Sequence, residues 1–237
     1  MDSGPLNITE HWLDDSASAA LLAASYVAES LRQGIAKRNV ASLAVSGGRS
    51  PIAFFDQLSR QILPWEKVTI TLVDERWVPT DSDHSNEHLV RHHLLRNAAA
   101  SAQLVPLKTS TPSPELALAE RESAINTLRW PLDAIVLGMG EDGHTASLFP
   151  GAENLSAALD VARPALLTAI DPPHADYPRM SFTLRALLHS RCVVLLIQNH
   201  RKRAIYQQAR DGADIAQLPI AGVLSQAKLR VEVFWAP

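Results

Sequence analysis

Cysteine is nearly absent: Cys192 is the only one in 237 residues, so no intramolecular disulfide can staple the fold. It opens the run Cys192-Val-Val-Leu-Leu-Ile197, where a thiol acts as a small core hydrophobe. No apolar run is long enough to span a bilayer. The opening Met1-Asp-Ser-Gly-Pro-Leu lacks the basic and then apolar pattern of a secretory leader, so a soluble cytoplasmic protein is expected, without a membrane partner. No block of like charge forms a tail, and a formal net charge of -3 argues against broad nucleic-acid binding. Any anionic ligand must therefore be held by local positive groups. Repeats and low-complexity blocks are missing too, as is the Gly-x-Ser-x-Gly elbow that would make Ser46 or Ser50 an esterase nucleophile.

What is present is enough apolar residue, 46% of the chain, to bury a sizeable core without metal or disulfide support. Short β-branched apolar runs at 40–45, 68–73, 133–137, 165–170, 192–197 and 229–235 alternate with helical stretches at 16–38, 51–60, 86–95, 114–128, 200–210 and 219–226. That alternation predicts a Rossmann-like α/β fold, a mostly parallel sheet flanked by helices, with 1–237 as a single domain. On the first helix Leu21, Leu22, Ala28 and Leu31 are expected to pack on the sheet.

The densest chemistry lies in Leu137-Gly-Met-Gly-Glu-Asp-Gly-His-Thr-Ala-Ser-Leu-Phe-Pro-Gly151, where a buried strand breaks into glycines and delivers His144 at its carboxyl end. Ligands of open α/β sheets sit there, which makes His144 a candidate catalytic imidazole. After the strand ending at Val45, Ser46-Gly-Gly-Arg-Ser-Pro51 places Ser46 and the free N–H groups of Gly47 and Gly48 before a helix, with Ser50 as cap and Pro51 as first helical residue. That is an anion-binding pattern. The run Asp74-Glu-Arg-Trp-Val-Pro79 brings Asp74, Glu75 and Arg76 to the same rim. Arg179 and Lys202 could clamp a phosphoryl group, while Arg201 and Arg203 are expected on a solvated face. His84, His88 and His92 recur every four residues beside His93, but no acid completes a tetrahedral set, so no metal is expected.

These residues together resemble the 6-phosphogluconolactonase family, of the glucosamine/galactosamine-6-phosphate isomerase superfamily, and they do so over nearly the whole chain. The resemblance rests on Ser46-Gly-Gly48 with Pro51, Asp74-Glu-Arg-Trp-Val-Pro79 followed by Ser85-Asn86, the segment 138–151, Arg179 in Pro-x-Arg, and Lys202. It implies cofactor-free hydrolysis of 6-phospho-D-glucono-1,5-lactone, the second step of the oxidative pentose phosphate pathway, by a monomer or small homo-oligomer. His144 would be the family's histidine. Gly47, Gly48, Arg179 and Lys202 would face the phosphate, Arg76 and Asp142 would lie near the sugar, and Asp74 would contribute. The chain departs from the family's usual pattern in having Arg49 and Ser50 where a serine and threonine are common, and Asn199 where a glycine is common. Deaminases of the same scaffold continue from Asp-Gly-His into Phe-Asn-Glu-Pro; here the continuation is Ser147-Leu-Phe-Pro150, without that glutamate.

Overall fold

Strands covered on both faces read as unbroken apolar runs, and the central strands of this protein do so for that reason. The computed structural model describes residues 6–48 and 50–237, so the expectations placed on the first five residues and on Arg49 lie outside the described residues. Along the chain come β1 (Ile8–Trp12), α1 (Ser16–Arg38), β2 (Ala41–Val45), α2 (Ile52–Leu58), β3 (Val68–Leu72), β4 (Asp74–Arg76), α3 (Asn86–His93), β5 (Gln103–Val105) and α4 (Pro114–Ile125). They are followed by β6 (Ala134–Leu137), α5 (Leu155–Leu159), β7 (Leu167–Ile170), β8 (Arg179–Phe182), α6 (Leu184–Leu188), β9 (Cys192–Gln198), α7 (His200–Arg210), α8 (Ala221–Leu224) and β10 (Arg230–Ala236).

Seven strands form one sheet in the order β1-β10-β9-β6-β2-β3-β5, with every pair parallel. From β2 the chain builds outward through β3 to β5, then returns to the other side of β2 with β6 and continues to β9 and β10. The direction of winding reverses between β2 and β6, and a crevice opens at such a point outside the carboxyl ends of the strands. Every residue of β2 and β6 is buried, which fixes that crevice on a rigid floor.

Two sequence expectations are corrected. The run 165–170 does not join the parallel sheet; β7 pairs antiparallel with β8, and β8 with β4, in a separate three-stranded sheet ordered β4-β8-β7. The connection 171–178 contains two consecutive prolines and is too short for a helical crossover, so an antiparallel return is the available solution. On α1, Leu21 and Leu22 are 50% and 41% exposed, whereas the buried stripe is Ala19, Ala20, Ala23, Ala24, Val27, Ala28, Leu31 and Gly34. Small side chains let this helix lie close: a Cβ on Gly34 would come within 2.8 Å of the Asp133 carboxyl at the foot of β6. Cys192 is buried as expected, and burial pushes its thiol up to about 11. Among the described residues no helix is long and apolar enough to cross a membrane.

Candidate active site

A cavity of about 440 Å³ opens at the winding reversal. Its floor comes from the loops after β2 and β6: Ser46, Gly47 and Gly48 on one side, Gly138, Met139, Gly140 and His144 on the other. Ser46 joins the two, its Oγ accepting from the Gly138 N–H at 3.3 Å and its own N–H donating to the Val136 carbonyl at 2.9 Å. The loop after β2 differs from expectation in one respect. Pro51 already has helical backbone angles (φ -80°, ψ -4°) and precedes α2 as its capping residue, and no side chain caps that start, so Ser50 is not the cap. α2 is only seven residues long, and the cations that line the cavity are Arg76, Arg179 and Lys202.

On the far side of the floor the β6 loop turns back on itself. The Gly140 N–H donates to the His144 carbonyl at 2.9 Å, and the His144 Nδ1 meets the Asp142 carboxylate at 2.6 Å. Burial works against charge on Asp142, but the bond to the His144 ring and its charge outweigh this and hold the carboxyl below its ordinary value. Asp142 does not line the cavity; it stands behind the imidazole and leaves Nε2 as the ring nitrogen for a ligand. Phe149 covers the ring at a centroid distance of 4.2 Å. Gly140 is required by space: a Cβ there would lie 2.2 Å from His144 Nδ1 and 2.4 Å from Asp142 Oδ1.

The small sheet supplies the wall. Successive strand residues point to opposite faces, so Asp74 and Arg76 turn to the cavity while Glu75 turns away from it. Asp74 is held by the Ser147 hydroxyl at 2.6 Å and lies 3.9 Å from the Arg179 guanidinium. Asn86, the first residue of α3, links these groups. Its Nδ2 donates to the Asp74 carbonyl at 2.8 Å, and its Oδ1 accepts from Arg76 Nη1 at 2.7 Å. The same Oδ1 occupies the space beside Gly47, where a Cβ would come within 1.8 Å of it. Sequence reasoning did not single out Asn86 as a site residue; the available signal was a carboxamide immediately after the Ser85 helix cap, in the segment that follows Asp74-Glu-Arg.

Arg179 and Lys202 complete the lining. Arg179 is buried, its Nε and Nη2 anchored on the carbonyls of Tyr177 and Asp176 at 3.2 Å each. Lys202 sits in the first turn of α7, whose cap Asn199 accepts the Lys202 N–H at 2.9 Å. Asn199 has φ 66° and ψ 160°, a region that costs a side-chain-bearing residue roughly 1–3 kcal/mol. Bonds from its N–H to Ala236 O (3.0 Å) and from Trp235 Nε1 to its carbonyl (2.9 Å) hold it there. Glycine gives up the cap and adds unfolded-state entropy, together about 1 kcal/mol. Asn199→Gly is therefore expected to raise stability by about 1 kcal/mol net, seen as a higher denaturant midpoint; a lower midpoint would contradict the strain.

Neighbouring charges and the histidines have other uses. Arg203, expected to be solvated, lies over the rings of Trp12 and Trp235 at 4.5 and 4.7 Å, a correction that follows from β1 running alongside β10. Arg201 reaches Glu141 at 2.8 Å on an exposed surface. The ring of His84 rests on Tyr177 (5.3 Å), His88 stacks on His92 (6.2 Å), and His93 pairs with Asp56 (3.2 Å).

With this geometry in place, comparison with known proteins is decisive. The model of the glucosamine-6-phosphate isomerases/6-phosphogluconolactonase family matches residues 14–235. The chain belongs to this family. Among its members, a 6-phosphogluconolactonase of Rhizobium meliloti strain 1021 is 42% identical over 227 residues, covering 96% of this chain and 98% of that protein. One from Mesorhizobium japonicum is 43% identical, covering 94% and 93%. The crystal structure of a 6-phosphogluconolactonase from Shewanella baltica OS155 superposes with a TM-score of 0.95 at 37% identity, over 98% of this chain and all of that one. A monomeric glucosamine-6-phosphate deaminase shares the fold at 16% identity, with a TM-score of 0.74 over 95% of this chain and 96% of its own.

Proposed function

We propose that this protein hydrolyses 6-phospho-D-glucono-1,5-lactone to 6-phospho-D-gluconate, the second step of the oxidative pentose phosphate pathway. The observation that carries the reading is the His144–Asp142 pair at 2.6 Å, at the edge of a cavity that also gathers Arg76, Arg179 and Lys202. A volume of about 440 Å³ suits a single sugar phosphate.

In this reading Asp142 fixes the Nδ1–H tautomer, and His144 Nε2 takes a proton from water as its oxygen bonds to the lactone carbonyl carbon. The tetrahedral oxyanion then collapses, the bond to the ring oxygen breaks, and the imidazolium returns its proton to that oxygen. The new carboxylic acid ionises in solvent. Arg76 offers the donor for the oxyanion, a contribution of the kind worth about 2.7–4 kcal/mol elsewhere. Arg179, Lys202 and the N–H groups of Gly47 and Gly48 take the phosphate; Ser46 and Asp74 meet the sugar. No step calls for a metal or an organic cofactor.

The test is a continuous assay with lactone generated in situ and the spontaneous rate subtracted. Acceleration over buffer is expected, and ammonia release from glucosamine 6-phosphate is not; the reverse result would move the protein to deaminase chemistry. Binding of 6-phosphogluconate without turnover would make it a sensor. Lys202→Ala is expected to raise KM about 10- to 100-fold with little change in kcat, since one charge-assisted bond is worth about 1.5–3 kcal/mol. An unchanged KM would remove Lys202 from the phosphate end.

A further inference from the structure

Glu75 is fully buried, yet it lies on the face of β4 opposite the cavity and does not line it. Its carboxylate collects the start of α3. Oε1 accepts from the N–H groups of Arg76 (2.8 Å) and Asn86 (2.7 Å); Oε2 accepts from the Glu87 N–H (2.7 Å) and the Ser85 hydroxyl (3.1 Å). Burying a carboxylate is costly, and burial pushes this one up to about 7 against those N–H bonds. Capping accounts for only part of it: Ser85 takes the His88 N–H at 3.1 Å and Glu75 takes the Asn86 and Glu87 N–H groups at the start of α3, but the bond from the Arg76 N–H belongs to no cap. The distinctive consequence of the Glu75 contacts is that they fix two backbone points, Arg76 on the strand and Asn86 on the helix, with one side chain.

Those two residues then meet again on the cavity side. Asn86 Oδ1 holds Arg76 Nη1 at 2.7 Å, and Arg76 Nη1 also donates to the His84 carbonyl at 3.1 Å. The carboxamide itself is oriented by its bond to the Asp74 carbonyl and by the space left beside Gly47. A closed circuit runs from the Glu75 carboxylate through two main-chain N–H groups, out along the Asn86 and Arg76 side chains, and shut at their hydrogen bond. Loosening one point of such a circuit lets the guanidinium swing, because its other tie is a single loop carbonyl.

We propose that Glu75 and Asn86 are positioning residues that aim the Arg76 guanidinium at the reacting carbonyl. The proposal rests on the lactonase reading for its kinetic effect, but its structural content is independent of it. Glu75→Gln keeps the shape and turns one acceptor into a donor facing main-chain N–H groups. It is expected to lower kcat about 10- to 30-fold with KM changed less than about threefold, the scale of a misaimed catalytic group. In an Arg76→Ala background the same change should cost less than about threefold, because the residue it aims is gone. A purely structural role predicts equal losses in both backgrounds, and that outcome, or full activity in Glu75→Gln, overturns the proposal. Should Glu75→Gln not fold, Asn86→Ala, which leaves the carboxylate on its backbone donors, is judged by the same two-background criterion. A crystal structure of the variant gives a readout that needs no turnover: Arg76 leaving its Asn86 position is expected, and Arg76 unmoved sinks the relay. Inactive wild-type protein would instead sink the lactonase reading, with the relay then decided by that structure alone.

Discussion

His144→Asn is expected to bring lactone opening down to the spontaneous rate, a loss of about 100- to 10,000-fold, while the protein folds and binds 6-phosphogluconate as before. The imidazole is partly exposed at the cavity edge and its ring contact is with Phe149, so the fold does not lean on it. A carboxamide can occupy the same place and still hydrogen bond to Asp142, but it cannot accept and return a proton near neutral pH. Geometry is kept and proton transfer is removed. The measurement is the catalysed rate at saturating lactone, with circular dichroism and product binding as controls. Retention of more than a tenth of the activity in a folded variant would transfer the base role to another group and dismantle the mechanism.

Gly140→Ala tests the arrangement without touching either partner. The backbone at Gly140 does not lie in the left-handed region, so alanine is tolerated by the chain itself. Its methyl group, however, would arrive 2.2 Å from His144 Nδ1 and 2.4 Å from Asp142 Oδ1, inside the hydrogen bond that pairs them. One or both must move by an ångström or more. Displacement on that scale costs about 100-fold in rate, and loss of the fixed tautomer adds to it. A fall in kcat of at least about 100-fold is therefore expected, with KM nearly unchanged because the proposed phosphate contacts lie elsewhere. Thermal unfolding should shift little. Wild-type kcat in this variant would show that the Asp142 contact contributes nothing to turnover.

Much of this arrangement was legible in the residues because the signals were local. Glycines following a buried apolar strand announce a ligand-facing turn, and His144 stands inside one. Long helices such as α1 and α7 begin and end where their patterns do. The elements that escaped are short or depend on distant partners. β4 and β5 are three residues each, and β1 is ordered by pairing with β10 from the other end of the chain. Hydropathy does not tell a parallel strand from an antiparallel one, which is why 165–170 was assigned to the wrong sheet; only the short connection to β8 settles the matter. That Asp142 pairs with His144 could not be read from a spacing of two residues, which allows the side chains to meet or diverge until the turn is folded. Glu75 bonds to main-chain N–H groups and Asn86 bonds through its carboxamide, both between elements, and such contacts leave no periodic trace.

The Ser46 bond across the winding reversal, added to the parallel pairing of β2 with β6, bears on how the walls of the cavity keep their spacing. Neither strand can part from the other without rupturing ladder bonds between two fully buried strands. The small sheet joins the larger one through Val73, its N–H bonded to the Val45 carbonyl and its carbonyl to the Phe182 N–H, and it is tied to the β6 loop by Ser147, whose hydroxyl donates to Asp74 and whose N–H donates to the Ser181 hydroxyl. His144 on one wall and Arg76 and Arg179 on the other are thereby carried on one connected frame.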